Sequence, residues 1–402
     1  MKHSKILAFT LAVAVYSIAF AQDNSATSQA NAQIATASAD SQKDRSYTDD
    51  YVSKKASVVY IVEGKENPAT FKEIVGKSVV FADSTGSDMT VEHGSANFKF
   101  SLKIDVSTWR SARALAQKGD FENAIKAMRD IVYPAIPLAA LSKDAFDASE
   151  YIEPFVSSLI ETNRLVEAYA FAKALPIEIT NADVIKSAMD VAYTLSSKGE
   201  AAKAMSLVER VELREESQFA ASDSVLKVMA SLRNQGMLKQ LLPLYSKYGA
   251  TKNPQADEFK LWGIYCDVAL GNRMSAEVML GSVKIDKKAE AFSLLQLIKG
   301  DLRATDKKNP DIMSATDLYA EGIVFGKISS EWMPELLYKT GMSYKKLGNF
   351  VASNEIFAQI AAMYPNDPFA AKGAKEIVKI EKKKEVSELS HEDDDEDEDE
   401  DE

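Results

Sequence analysis

The chain of 402 residues contains few side chains able to do covalent or metal chemistry: three histidines, one cysteine and a scatter of adjacent carboxylates. A nucleophilic triad needs a histidine held where it can take a proton. His3 stands in the first five residues, His93 beside Gly94 in a turn, and His391 against a run of acidic residues, so none is placed for that work. Zinc ligation by Cys and His fails on the same counts. Neither a Gly-x-x-x-x-Gly-Lys-Ser/Thr phosphate loop nor a Gly-x-Gly-x-x-Gly fingerprint occurs. Cys266 has no partner for an intramolecular disulfide and lies among Trp262, Ile264, Tyr265, Val268 and Leu270, which marks it as a small buried hydrophobe. Asp49 with Asp50, and Glu215 with Glu216, fall in a polar linker and on a charge-rich helical stretch, where solvated surface is their expected role. No catalytic, cofactor-binding or metal-binding residue is therefore expected. A carboxylate-dependent enzyme acting on an envelope polymer is the catalytic alternative, because two acids in a cleft leave little trace in a sequence.

Charge is distributed unevenly. The formal total is −12, but eleven acidic residues crowd into 392–402 and two lysines into the first five positions, which leaves −3 for residues 22–390. A nearly neutral body lacks the basic stripe of a nucleic-acid binder. Residues 1–21 read as a cleaved signal peptide: Lys2, His3 and Lys5 precede an apolar run over 6–20 that ends in Ala19-Phe20-Ala21. The run is shorter than the roughly 20 residues that span a bilayer, and no cysteine follows it for lipidation. The expected location is periplasmic or secreted, with no transmembrane segment in the mature chain.

Composition then divides the chain. Residues 22–55 are rich in Ser, Ala, Gln, Asn and Asp and read as a disordered linker. Residues 56–105 form a small all-β, barrel-like module, with strands expected at 58–62, 71–75, 78–81, 89–93 and 97–102 between Gly and Pro punctuation. Five such strands make a marginal core that must lean on the helical region after it. Residues 107–385 are helical, and 386–402 read as a disordered acidic tail, solvated or folded back on the lysines before it. The tail lacks the spaced oxygen ligands and glycine of a tight calcium loop.

The helical region repeats. Turn residues recur at Gly119, Asn163, Gly199, Gly236, Gly271 and Gly348, at spacings of 44, 36, 37, 35 and 77, the last covering two periods with a degenerate turn near Asp306. A mean of about 38 residues is the length of one helix pair, and stacked pairs make an α-solenoid. The last repeat carries the fullest pattern: Leu337, Gly341, Tyr344, Gly348, Phe350, Ser353, Phe357 and Pro365. The first follows through Ala112, Leu115, Gly119, Phe121, Ala124, Met128 and Ile131, and the third through Ala192, Leu195, Gly199 and Ala204. Small residues at these spacings let helix backbones approach while large ones fill the grooves beside them.

This pattern resembles the tetratricopeptide repeat (TPR) family. A β module followed at once by such repeats is similar to an architecture of exported bacterial proteins, and the last 55 or so residues of the helical region resemble repeats of the periplasmic cell-division coordinator and outer-membrane β-barrel assembly families. A final helix over 367–385 is expected to cap the array, with Ala370, Ala374, Ile377 and Val378 on one face.

The resemblance implies a non-catalytic exported adaptor or scaffold that holds a peptide or envelope protein on the concave face of a mainly α solenoid. The family's inner lining comes from the first helix of each pair, which on this chain gives Tyr338, Met342, Lys345, Tyr193 and Arg233 as protein-binding residues, with Tyr338 and Met342 packing on the next helix as the other reading. No cofactor is implied. A homo-oligomer, or a structural spacer whose β module makes the contacts, is the competing expectation.

Overall fold

The computed structural model describes residues 56–92, 98–306 and 309–379. The leader, the linker, His93, His391 and the acidic tail lie outside them. The chain is mainly helical with an antiparallel five-stranded sheet at its N-terminal side, and it divides into two compact units, Met1–Leu270 and Gly271–Glu402.

The first unit opens with strands β1 (Ser57–Val62), β2 (Lys65–Val75), β3 (Ser78–Asp83), β4 (Asp88–Glu92) and β5 (Lys99–Leu102), in the order β4-β3-β2-β1-β5. β2 runs further back than the expected 71–75 because Pro68 is tolerated. It pairs only with Val59 of β1, since β3 begins to pair at Ala69, so its missing N–H faces no partner strand. Phe81 on β3 and Phe100 on β5 are three strand spacings apart, about 14 Å in a flat sheet. Their rings nevertheless stack with centroids 4.7 Å apart, so the sheet curls over on itself around Val58, Val79, Phe81 and Val91.

Ten helices follow in this unit: α1 (Val106–Gln117), α2 (Phe121–Ala135), α3 (Ser149–Glu161), α4 (Leu165–Ala174), α5 (Ala182–Ser197), α6 (Ala201–Val208), the single turn α7 (Glu216–Phe219), α8 (Ser222–Asn234), α9 (Leu238–Gly249) and α10 (Ala256–Ala269). The second unit holds α11 (Arg273–Ser282), α12 (Ala291–Ala304), α13 (Ile312–Phe325), α14 (Met333–Lys346), α15 (Phe350–Met363) and α16 (Pro368–Glu376). The six recurring turn residues all adopt left-handed backbone, with φ of 81° at Gly119, 54° at Asn163, 85° at Gly199, 82° at Gly236, 81° at Gly271 and 80° at Gly348. That conformation ends a helix and reverses the chain, and glycine adopts it without the Cβ penalty. The longer spacing of 44 after Gly119 has a cause: Ile136–Ala140 forms a 3-10 turn between α2 and α3. β2 and β3 pack on this turn, and Phe100 N donates to Ala145 O at 2.7 Å, so the sheet is seated on the helical layer of its own unit.

Repeats within a unit are tied by side chains that reach back about one period. Arg210 donates to the carbonyls of Lys173 and Leu175, and Lys247, 37 positions later, donates to those of Glu209 and Val211. Both cations satisfy carbonyls that a helix C-terminus leaves open. In the second unit Trp332 Nε1 donates to Ser293 Oγ at 2.7 Å, and Lys339 pairs with Asp301.

The last helix ends at Glu376, not at 385. Two contacts stop it: Lys345 Nζ donates to Glu376 O at 2.9 Å, and the Asn354 amide pairs with Val378 in both directions, at 2.8 and 3.0 Å. Ala370 and Gly373 are buried, whereas Ala374 and Ile377 face solvent.

Candidate functional site

The residues expected to line the binding face separate into three environments. Arg233 on α8 is buried, with its guanidinium 3.4 Å from the centre of the Trp262 ring and Nη1 donating to Tyr245 Oη at 2.6 Å. A planar cation stacked on indole and bonded to phenol belongs to the packing between α8, α9 and α10. Its neighbour Cys266 is also fully buried, and burial pushes the thiol up to about 12, against a lowering by Arg233 and with a further rise from Asp267.

Tyr338, Met342 and Lys345 lie on α14, where Met342 is half-buried and the other two meet the terminal helix. The Tyr338 ring lies 5.9 Å from Phe357 and 5.4 Å from Phe369, and burial raises its hydroxyl above the ordinary value. Lys345 is engaged by Glu376 through the carbonyl and Oε2, each at 2.9 Å. Tyr338 and Lys345 thus contact the terminal helix α16. The motif glycine beside them does what its position requires: a Cβ on Gly341 would stand 2.6 Å from the Phe357 ring, so glycine alone lets α14 and α15 close to this distance.

Tyr193 is different. It sits on α5 with over a third of its surface exposed, at the mouth of a groove of about 290 Å³ between α3 and α5. Glu153 and Ser157 from α3 and Asp190 and Thr194 from α5 form the polar walls, over Val156 and Ile160. Lys227 on α8 reaches over the Tyr193 ring, its Nζ 4.1 Å from the centroid. Glu153 and Asp190 make no ion pair among the described residues. Burial raises the Asp190 carboxyl above its usual range, Lys227 opposes the rise and Glu153 adds to it. Two acids that repel across a groove, beside an exposed aromatic ring, suit a cationic side chain more than an anionic one. The sequence held one signal for this site, a tyrosine and an aspartate one turn apart on an amphipathic helix, but Glu153 is 37 residues from Asp190 and only the stacking of α3 on α5 joins them.

The carboxylates Glu215 and Glu216 belong to surface structure: Glu215 caps α7 and pairs with Lys77, and Glu216 is exposed. No group of three or more His, Cys, Asp or Glu that could hold a metal ion occurs among the described residues, and no described helix is long and apolar enough to cross a membrane.

A tetratricopeptide repeat family model matches residues 335–367, which run from the first turn of α14 through the Gly348 turn and α15 to Asp367. No curated protein matches the chain. The repeat is typically a non-catalytic protein–protein interaction module, and its presence at 335–367 suggests an interaction scaffold.

Proposed function

We propose that this protein is an exported, non-catalytic adaptor that receives a peptide or envelope protein on the face formed by the first helices of its pairs, with the α3–α5 groove as the recognition site. One observation carries the reading. In the groove an aromatic ring is exposed beside two carboxylates that make no ion pair among the described residues, with Lys227 acting on Asp190 only through its charge. The partner segment that fits is extended and presents a lysine or arginine to Glu153 and Asp190, with an apolar neighbour against Tyr193. The leader over 1–21 supports delivery out of the cytoplasm, to the periplasm or the medium.

The test uses the chain from Gln22 onward against a displayed library of random decapeptides. Expected is enrichment of peptides with Lys or Arg next to an apolar residue, lost in a Glu153→Gln/Asp190→Asn/Tyr193→Ala variant whose helical circular dichroism is unchanged. Enrichment that persists in the variant, or selects acidic peptides, overturns the assignment.

A further inference from the structure

The second unit holds a larger concavity, about 510 Å³, between α11, α12 and α13. It is lined by Leu280, Leu302 and Leu318 and by the charged Arg273, Lys299, Arg303 and Glu277. The cations are not equivalent. Arg273 donates to Leu302 O at 2.6 Å and meets Glu277 at 2.9 Å and Asp306 at 3.2 Å, so its charge is already compensated. Lys299 and Arg303, one turn apart on α12, have no carboxylate within ion-pair distance among the described residues. Two cations without an ion-pair partner among the described residues, Arg303 acting on Asp311 only through its charge, beside three leucines call for a segment that is both apolar and acidic.

The chain supplies one. Beyond Lys379 it continues to Glu385-Val386-Ser387-Glu388-Leu389-Ser390-His391 and then to eleven consecutive acidic residues, 392–402. It also leaves the unit at the right edge. Ser293 near the start of α12 bonds Trp332 just before α14, and Asp301 late in α12 pairs with Lys339 further along α14, so these two helices run parallel. Lys345, in the last turn of α14, bonds Glu376, the last residue of α16, so α16 runs the same way. The C-terminal ends of α12, α14 and α16 thus lie along one edge, where Arg303 sits and from which the chain departs. Two helix spacings separate them, roughly 16–20 Å. The seven residues from Lys379 to Val386 reach up to about 23 Å, and the ten to Leu389 up to about 33 Å.

We propose that residues 386–402 dock back into this concavity, Val386 and Leu389 covering the leucines while Glu388 and the acidic run face Lys299 and Arg303. The tether holds the segment at an effective concentration on the order of millimolar, so even a weak contact keeps the site occupied by its own chain. A free acidic, apolar segment from another protein must then compete for it.

The test is zero-length carbodiimide cross-linking of the full chain, which joins a lysine amine to a carboxylate in contact with it, read by peptide mass spectrometry. Expected is a link from Lys299 to a carboxylate within 385–402, in a yield independent of protein concentration and several-fold lower in 0.5 M NaCl, where the screening length falls to about 4 Å. A Val386→Ser/Leu389→Ser variant, altered outside the described residues, is expected to lower that yield at least threefold. Links confined to lysines 379–384, a yield that grows with protein concentration, or an unchanged yield in the variant each overturn the proposal.

Discussion

Replacing Lys339 by methionine tests how the second unit is held together. Asp301 on α12 is 7% exposed, accepts from Tyr319 Oη at 2.7 Å, and is paired with Lys339 of α14, which also meets Glu335 at 2.8 Å. One cation thus serves two shielded carboxylates and joins α12 and α13 to α14. Burial raises the Asp301 carboxyl, and Lys339 opposes that rise through its charge and its hydrogen bond, while Glu335 adds to it. Methionine keeps the length of the stem and removes both lowering effects of Lys339, leaving the weaker one of the Tyr319 hydrogen bond. Breaking a buried pair from one side costs about 3–5 kcal/mol. The pH dependence follows from linkage. In the native state Asp301 keeps its proton above 3.8, the ordinary value it regains on unfolding, so the native state binds more protons in the window above 3.8 and stability falls as pH rises through it. The variant extends that window upward. Its deficit against the parent is therefore expected to be under about 1 kcal/mol near pH 4 and about 3 kcal/mol at pH 8. Adding Asp301→Asn, which keeps an acceptor for Tyr319 without a charge, is expected to recover at least half of the loss. The assay is urea-dependent hydrogen exchange read by mass spectrometry on peptides of α12 and α14, corrected for intrinsic exchange, with α3 and α5 as internal reference. A deficit below about 1 kcal/mol at pH 8, or one that does not change with pH, refutes the reasoning.

The packing sets two further outcomes. Cys266, fully buried with its thiol pushed up to about 12, is expected to react with a disulfide reagent at pH 8 at less than about 1% of the rate in denaturant, which a colorimetric thiol assay reads directly. Gly341→Ala places a methyl group 2.6 Å from the Phe357 ring and is expected to lower the stability of the second unit by about 1–3 kcal/mol, seen as faster exchange in α14 and α15 with α3 and α5 unchanged.

Much of the architecture is legible in the chain because it is decided locally. A helix end that must reverse direction needs a residue tolerant of left-handed backbone, and the glycines and Asn163 that mark the repeats are the residues that adopt it. The strands at 78–83 and 99–102 follow from β-branched and aromatic residues between turn residues, and the last repeat from small and large apolar residues at helical spacing. The spacing of the turns also exposed an irregularity, the stretch after Gly119 where the 3-10 turn receives the sheet.

What the face of each helix does was decided by tertiary structure. Periodicity shows which side of a helix is apolar, but the fate of a polar side chain depends on partners that sequence distance hides. Arg233 and Tyr193 both read as lining residues. Trp262 and Tyr245 draw the first into the core, whereas Glu153, brought beside Asp190 by the stacking of α3 on α5, turns the surroundings of the second into a groove. Tyr338 and Lys345 likewise became supports for α16 because Phe369 and Glu376 fold back over them, and the last helix stops at Glu376 because Asn354 captures Val378. Backbone conformation is a short-range energy and is written residue by residue. The burial of a charge is a contest between desolvation and partners 30 to 40 residues away, and only the folded chain settles it.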